Sequence, residues 1–347
     1  MTAELVHLRT RVDLLAAIPY MLGFHPADNS LVALGFLRQA RPSPECVARY
    51  DLPHDSADLP DLAADLCALL HQRNLDVVAL VGYGRGEIVT PAIDAVTTSL
   101  DAAGIEILDA LRAEDGRYHS YLCHDPSCCP PEGWPYDTTT TAVAAALVAR
   151  GRSPLPDRAT YIAQLNPVAG TDRQKITAAT RAVCTKIRQA AVTPPRSWYR
   201  QGKQRVREAL EHDAELSADQ VAWLGALLTA IYIRDAATAL IGPFPEQTHL
   251  RLWTQMTRRV DPAFAAAPAT MLAITAWRAG ENVLAEAAIN RALNTNPDYS
   301  LALAIRTALR LDARETRMSD LASMADTIDI CVERKPEGAR PVLPEGW

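Results

Sequence analysis

A chain of 347 residues has room for two domains at roughly 100–200 residues each, and 48% hydrophobic with 22% charged residues describes an ordinary soluble globular protein. The formal charge of −6 is unevenly spread: residues 1–140 carry 9 Lys/Arg against 20 Asp/Glu, a net of −11, while residues 171–210 carry 10 against 2, a net of +8. The acidic part argues against nucleic acid as its partner, because phosphates are repelled there.

No apolar run approaches the ~20 residues needed to span a bilayer. Glu4, His7, Arg9, Arg11 and Asp13 interrupt the opening turns, so no leader is expected and the predicted location is cytoplasmic. Seven cysteines, an odd number and scattered but for one cluster, do not resemble a secreted disulfide framework.

Taken in order, Val12 to Leu22 is a short apolar helix that Pro19 starts or kinks. Gly23-Phe24-His25-Pro26-Ala27-Asp28-Asn29-Ser30 is a loop by composition. Leu31–Leu37 and Cys46–Leu52 read as two strands. Between Asp58 and Gln72, Leu59, Leu62, Ala63, Leu66, Leu69 and Leu70 recur at the spacing of one helix face. Val77 to Val81 is an unbroken apolar run, the pattern of a strand buried on both faces, and it drops into Gly82-Tyr83-Gly84-Arg85-Gly86. Thr90-Pro91 reads as the cap and first turn of the next helix, which ends at Gly104. Two strands, Ile105–Ala113 and Arg117–Leu122, follow around the turn Glu114-Asp115-Gly116. The order ββαβαββ predicts an α/β domain over residues 1–137: a mixed sheet with helices, Rossmann-like in the broad sense.

From about Thr138 strand signals vanish. Helical segments are predicted at 138–150, 171–191, 197–214, 217–241, 246–260 and 265–311, separated by Pro/Gly breaks. This gives an all-α bundle over 138–315 and a weakly structured tail over 316–347. Within it, Gly280, Ala285, Ile289, Ala292, Leu293 and Pro297 fall where the second half of a tetratricopeptide unit carries its small, large and terminal residues. Only one such unit is visible, so a helical hairpin inside a bundle is expected rather than a peptide-binding solenoid.

Four segments carry residue types suited to chemistry. The turn with Gly82, Gly84, Arg85 and Gly86 can bring backbone N–H groups and a guanidinium to an anion, although it is neither G-x-G-x-x-G nor a P-loop and the helix is expected to start only at Pro91. Cys123, Cys128 and Cys129, with His119 or His124 as fourth ligand, are a candidate Zn²⁺ set. A redox thiol pair or buried structural cysteines remain open for the same residues. His25, Asp28 and Ser30 combine acid–base and nucleophilic groups, against the simpler reading of a turn that positions the first strand. In the basic segment 171–210, cations interleaved with Trp198 and Tyr199 suit nucleic acid, or equally a bundle helix whose cations neutralise the acidic first domain.

Together, Asp13-Leu14-Leu15-Ala16-Ala17-Ile18-Pro19-Tyr20-Met21-Leu22-Gly23-Phe24-His25-Pro26 with Ser30-Leu31-Val32, Tyr121-Leu122-Cys123 with Cys128-Cys129-Pro130, Arg234-Asp235-Ala236, and Trp277 to Pro297 resemble an actinobacterial domain-of-unknown-function family, DUF4192. The resemblance spans the first helix to about residue 311. It implies that the cysteine cluster and the Gly-Phe-His-Pro loop belong to a shared architecture, and it supplies no catalytic residues. The reading that results is a cytoplasmic binding or regulatory protein rather than an enzyme. It would take a small anionic or nucleotide-like ligand through Gly82, Gly84, Arg85, Gly86, His25 and Asp28, and a protein partner through the helical domain. The alternatives are a Zn²⁺-dependent hydrolase or thiol-redox protein using Cys123, Cys128, Cys129 and His124, and nucleic-acid binding through 171–210. Zn²⁺ is the one cofactor candidate, and no membrane is involved.

Overall fold

The computed structural model describes residues 8–38, 44–149, 153–190, 192–212, 214–310 and 320–347. The chain divides into two compact units, Met1–Tyr161 and Ile162–Trp347.

In the first unit the expected order ββαβαββ is present. Thr10 caps helix α1 (Arg11–Leu22) through a capping box with Asp13. The helix runs through Pro19 and ends at Gly23, whose φ of 83° is left-handed. Strands β1 (Ser30–Phe36), β2 (Pro44–Asp51), β3 (Val77–Tyr83), β4 (Glu106–Glu114), β5 (Arg117–Ser120) and β6 (Trp134–Pro135) form one mixed sheet in the order β2-β1-β3-β4-β5-β6. Among the described strands, β3–β4 is the one parallel pair, joined by helix α3 (Gly86–Ala102). The β4–β5 turn uses Asp115 and Gly116 at φ 48° and 71°, the pair of positive values that matches the twist of a tight hairpin.

The sheet is covered on two faces because its central strands are apolar on both. Leu31 and Ala33 of β1, Val78 and Leu80 of β3, and Ala110 of β4 pack with Leu62 and Leu66 of α2 (Leu59–Gln72) and Val89 and Ile93 of α3. Of the alternate residues, Asp109 bonds to Arg11 of α1, and Tyr83 and Ala113 line a cleft together with Leu15 and Pro19 of that helix. Helix α4 (Ala142–Ala149) packs Val143 and Leu147 on Ala17 of α1.

This last contact moves the domain boundary. The chain turns helical near residue 138, as its composition predicts, but α4 closes the first core rather than opening the second. Leu155 then exchanges backbone hydrogen bonds with Gly23 and His25 at 2.9 Å each, and the Tyr161 ring lies 5.6 Å from that of Phe24. The unit therefore ends at Tyr161, not at 137. Helix α5 (Arg158–Ala163) carries the boundary.

The second unit is helical: α6 (Gly170–Gln189), α7 (Pro195–Glu211), α8 (Ala218–Leu227), α9 (Ile231–Ala239), α10 (Glu246–Arg259), α11 (Ala266–Arg278), α12 (Asn282–Thr295), α13 (Ser300–Arg310) and α14 (Asp320–Arg334). Every residue of α11 from Ala266 to Trp277 is buried, so it forms the axis of the bundle. Gly280, at φ 78°, turns the chain from α11 into α12, and Ala285, Ala288, Ile289, Ala292 and Leu293 are buried.

Two expectations need correcting here. The segment 217–241 is two helices bent by 108°, and the break has no Gly or Pro to mark it. Thr229 Oγ1 donates to Ala226 O and accepts from the Val342 amide, so the break is held from the far end of the chain. The tail expected to be weakly structured over 316–347 contains α14, whose Ile328 and Val332 join the core, and Trp347 meets Phe264 edge-on at 5.6 Å. Residues 316–319 of that span lie outside the described residues. Among the described residues no single helix is long and apolar enough to cross a membrane.

Candidate functional site

The site of most interest begins with the end of β3. Tyr83 closes the strand, the Gly84 amide donates to Ala113 O at 3.0 Å, and α3 starts at once at Gly86 with Arg85 at its N-cap. The expected start at Pro91 was set by Thr90 as a cap. Thr90 Oγ1 instead lies 2.8 Å from Tyr121 Oη, so the hydroxyl that would cap a helix is engaged on β5's continuation. The glycine turn and the helix N-terminus are thus adjacent, and the first-turn N–H groups lie beside Arg85.

Three of these glycines have physical reasons to be there. A Cβ on Gly82 would run into Val89, and one on Gly86 into the Arg112 guanidinium. Gly84 has φ +117°, and a Cβ there would stand 2.9 Å from the Asn29 amide nitrogen and 3.6 Å from the Asp28 Cα. The loop after α1 is therefore seated directly on the end of β3. His25, Asp28 and Tyr83, together with Glu114, Asp115 and Tyr136, frame a cleft of about 230 Å³ floored by Leu15 and Pro19. It lies at the carboxyl ends of the parallel pair, where α/β sheets usually bind ligands.

The electrostatics of the cleft are mixed. Burial pushes the Tyr83 phenol well above the ordinary tyrosine range, and the neighbouring Tyr136 phenol adds to this; Tyr136 is raised by burial in turn. Both rings stay neutral at physiological pH and present hydroxyls. Glu114 accepts from Arg112 Nη1 at 2.7 Å, so one of the three carboxylates is already balanced. Arg85 is exposed, with Glu87 at 4.0 Å. Cations stand at the α3 end of the site and carboxylates line the cleft.

The cysteine cluster is a separate place in the same unit. The Sγ atoms of Cys123, Cys128 and Cys129 lie within 4.8 Å of one another. Asp125 organises the loop: its carbonyl accepts from the Cys128 and Cys129 amides at 3.0 and 2.7 Å, and its carboxylate accepts from Ser127 N and Oγ at 2.9 and 2.7 Å. Trp134 Nε1 donates to Cys128 O at 2.6 Å and the Cys123 amide donates to Ser120 Oγ. Bonds from the Asp125 amide and then the Cys129 thiol hold Cys123 below the usual thiol range. Hydrogen bonding to Cys123 and Cys129 pushes Cys128 up. Arg11 Nη1 donates to Cys129 Sγ at 3.4 Å while its Nε donates to Asp109 Oδ2 at 2.8 Å.

Neither histidine joins the sulfurs. His124 is exposed, and His119 packs its ring on Gly133, where a Cβ would come within 2.7 Å. Burial, then the nearby Arg112, lower the His119 pKa. The chain reverses at Asp125 to bring Cys128 and Cys129 back to Cys123, which leaves His124 on the outside of the turn. The cluster also lies away from the Arg85 turn. Cys129 reaches Asp109, opposite Ala79, only through Arg11, whereas the cleft is lined at Ala113, opposite Tyr83, and by none of the three cysteines.

The basic segment spends much of its charge inside its own unit. Lys203 pairs with Asp329 at 3.1 Å, Arg173 with Asp261 at 2.7 Å, and Arg205 stacks over Trp223 at 5.0 Å. Trp198 and Tyr199 are buried, which removes the aromatic half of a base-stacking surface. Sequence reasoning missed Arg11, Asp109, Tyr83, Arg112, Glu114 and Tyr136. Tyr83 sits inside the glycine motif itself, but Arg11 is 118 residues from the sulfur it touches and carries no local signal.

Fold and site together define a two-unit protein: a mixed α/β sheet unit with a strand-end cleft and a separate thiol trio, followed by a helical unit. The chain belongs to the family described as Domain of unknown function (DUF4192), which matches residues 12–314. Comparison with curated proteins and with solved structures returned no match.

Proposed function

We propose that the α/β unit is a small-ligand-binding module, and that the protein is a binding or regulatory protein rather than an enzyme. The observation that carries this is the meeting of two sequence-distant segments, His25–Asp28 and the end of β3 at Tyr83, around one cleft at the carboxyl ends of β3 and β4; Gly82, Gly84, Arg85 and Gly86, expected to line it, lie beside it instead. At about 230 Å³ the cleft suits a ligand smaller than a whole nucleotide, since drug-sized sites run from roughly 300 to 1,000 Å³. Its carboxylates and phenols suit hydroxyl or amine groups. An anionic group on the same ligand belongs outside the cleft, at the α3 N-terminus beside Arg85, because Asp28 and Asp115 would repel it within. A sugar phosphate combines both halves.

In this reading β3–α3–β4 is the Rossmann-like part of the sheet. The α11–α12 pair, with Gly280, Ala285, Ile289, Ala292, Leu293 and Pro297, is a tetratricopeptide-like hairpin. Because α11 is buried throughout, a protein partner would meet α12 and its neighbours rather than a concave groove.

Calorimetric titration with ribose 5-phosphate, ribose and inorganic phosphate tests the proposal. The sugar phosphate should bind tightest, and Arg85→Ala should weaken it about tenfold, the ~1.4 kcal/mol expected from a charge-assisted contact. Arg85→Ala should leave ribose binding unchanged, whereas Asp28→Ala should weaken ribose and ribose 5-phosphate alike. Absence of heat with all three ligands in the folded protein would remove the cleft reading.

A further inference from the structure

The thiol trio has features that a chance grouping of cysteines lacks. Three sulfurs approach within 4.8 Å of one another, and all three belong to free thiols. Three thiolates on a tetrahedral zinc, at about 2.3 Å each, stand about 3.8 Å apart, so the trio is within roughly 1 Å of that arrangement. The loop carrying them is fixed by the Asp125 carbonyl, the Asp125 carboxylate and the Trp134 indole, and the sulfurs are held together before any ion arrives. An arginine touches the trio and is itself oriented by a carboxylate, in the chain Asp109–Arg11–Cys129. Hydrogen-bonding partners that hold a ligand atom in place are a common feature of metal sites. A guanidinium thus faces the sulfurs, and a cation there favours thiolates over thiols.

We infer that Cys123, Cys128 and Cys129 form a three-thiolate Zn²⁺ site, with Arg11 as its hydrogen-bonding neighbour and the fourth coordination position open to solvent. Cys128 is exposed, so an ion reaches the site without unfolding the loop. Closed structural zinc sites use four protein ligands, and sites with three keep a position for water or an incoming molecule. Among the described residues no fourth His, Cys, Asp or Glu joins the trio, so the site is of the open kind. It is independent of the ligand cleft, and either can exist without the other.

The test uses the full chain, reduced and stripped of metal. Titration with Co²⁺ should give one equivalent bound, with thiolate-to-cobalt charge-transfer absorption that Zn²⁺ abolishes by displacement. Cys128→Ser and Cys129→Ser should each lose that absorption, while His124→Ala and Cys184→Ser, the latter buried in the helical unit, should keep it. Arg11→Gln should keep the spectrum and weaken binding about tenfold, the usual loss for a neighbour of a metal ligand. A measurement without variants runs beside these: one equivalent of Zn²⁺ should protect Cys128 from iodoacetamide. The inference fails if reduced wild-type protein shows no charge-transfer absorption. It fails equally if the absorption survives in the Cys128→Ser/Cys129→Ser double variant, or if Zn²⁺ leaves the alkylation rate of Cys128 unchanged.

Discussion

Gly82→Val is expected to loosen the α/β unit by about 3 kcal/mol, the upper end of the cost of overpacking a full core. Gly82 faces α3 from the penultimate position of β3, and a Cβ there would run into Val89, which is itself completely buried. Val89 sits in the first turn of α3 with Val96 and Ile93 behind it, so it cannot rotate away into space. The helix has to lift from the strand, and with it goes the N-terminus that carries Arg85. Gly84→Ala should cost about 2 kcal/mol by a different route, since φ +117° is strained for any side chain and the Asn29 amide blocks the Cβ. Hydrogen exchange reads both. For Gly82→Val the β3 and α3 amides should exchange on the order of 100-fold faster, the equivalent of about 3 kcal/mol, with the helical unit unaffected. Unchanged exchange in β3 would mean that the close approach of α3 is not what the glycine serves.

These glycines show which parts of the architecture were legible in the residues alone. Val77 to Val81 and Leu31 to Leu37 read as strands because a strand buried on both faces needs no alternation, and both lie in the middle of the sheet. The helix from Leu59 to Gln72 was equally plain, since one of its faces is apolar and the other is not. What misled was local chemistry captured by distant partners. Thr90 has the composition of a cap but spends its hydroxyl on Tyr121, 31 residues away. The break between α8 and α9 is held by Val342, and the end of the first unit is set by Leu155 and Tyr161 closing on Gly23 and Phe24. Composition locates where a chain becomes helical; packing decides which core those helices serve.

The candidate site divides the same way. The residues that bear recognisable chemistry, His25, Asp28, Arg85 and the three cysteines, were visible as motifs. The cysteines could be grouped from their spacing alone, but the meeting of the His25–Asp28 loop with the end of β3 could not, because it depends on the sheet order that puts β1 beside β3 and seats the Asp28 loop on Gly84. None of the three cysteines lines the cleft, so segments that follow one another in the linear chain do not converge on one place.

In the helical unit the largest effect is expected at Trp253. Its side chain is fully buried, and truncation to Ala should cost about 3–5 kcal/mol through the cavity it leaves. Trp253→Phe separates packing from polarity. The indole Nε1 donates to His249 Nδ1 at 3.2 Å, and His249 Nε2 lies 2.9 Å from Leu240 O. Both bonds are satisfied only by a neutral imidazole with its proton on Nε2, which donates to the carbonyl while Nδ1 accepts from the indole. Burial lowers the His249 pKa, Arg278 lowers it further, and the Leu240 carbonyl works the other way. Removing the indole N–H leaves Nδ1 without a donor, a cost of about 1–3 kcal/mol on top of any loss of packing. The sign of the pH dependence follows. The unfolded imidazole titrates near 6.5 and the folded one lower, so between those values the unfolded state binds more protons and stability rises with pH. His249 therefore contributes fully above about pH 6.5, and its contribution is lost as the pH falls through the folded value. Thermal melting of the helical unit followed between pH 8 and 5 should show a decreasing midpoint on the acid side, and His249→Gln should flatten that slope. A midpoint in wild-type protein that is level, or that rises toward acid, would show that His249 is not held neutral by this pair of bonds.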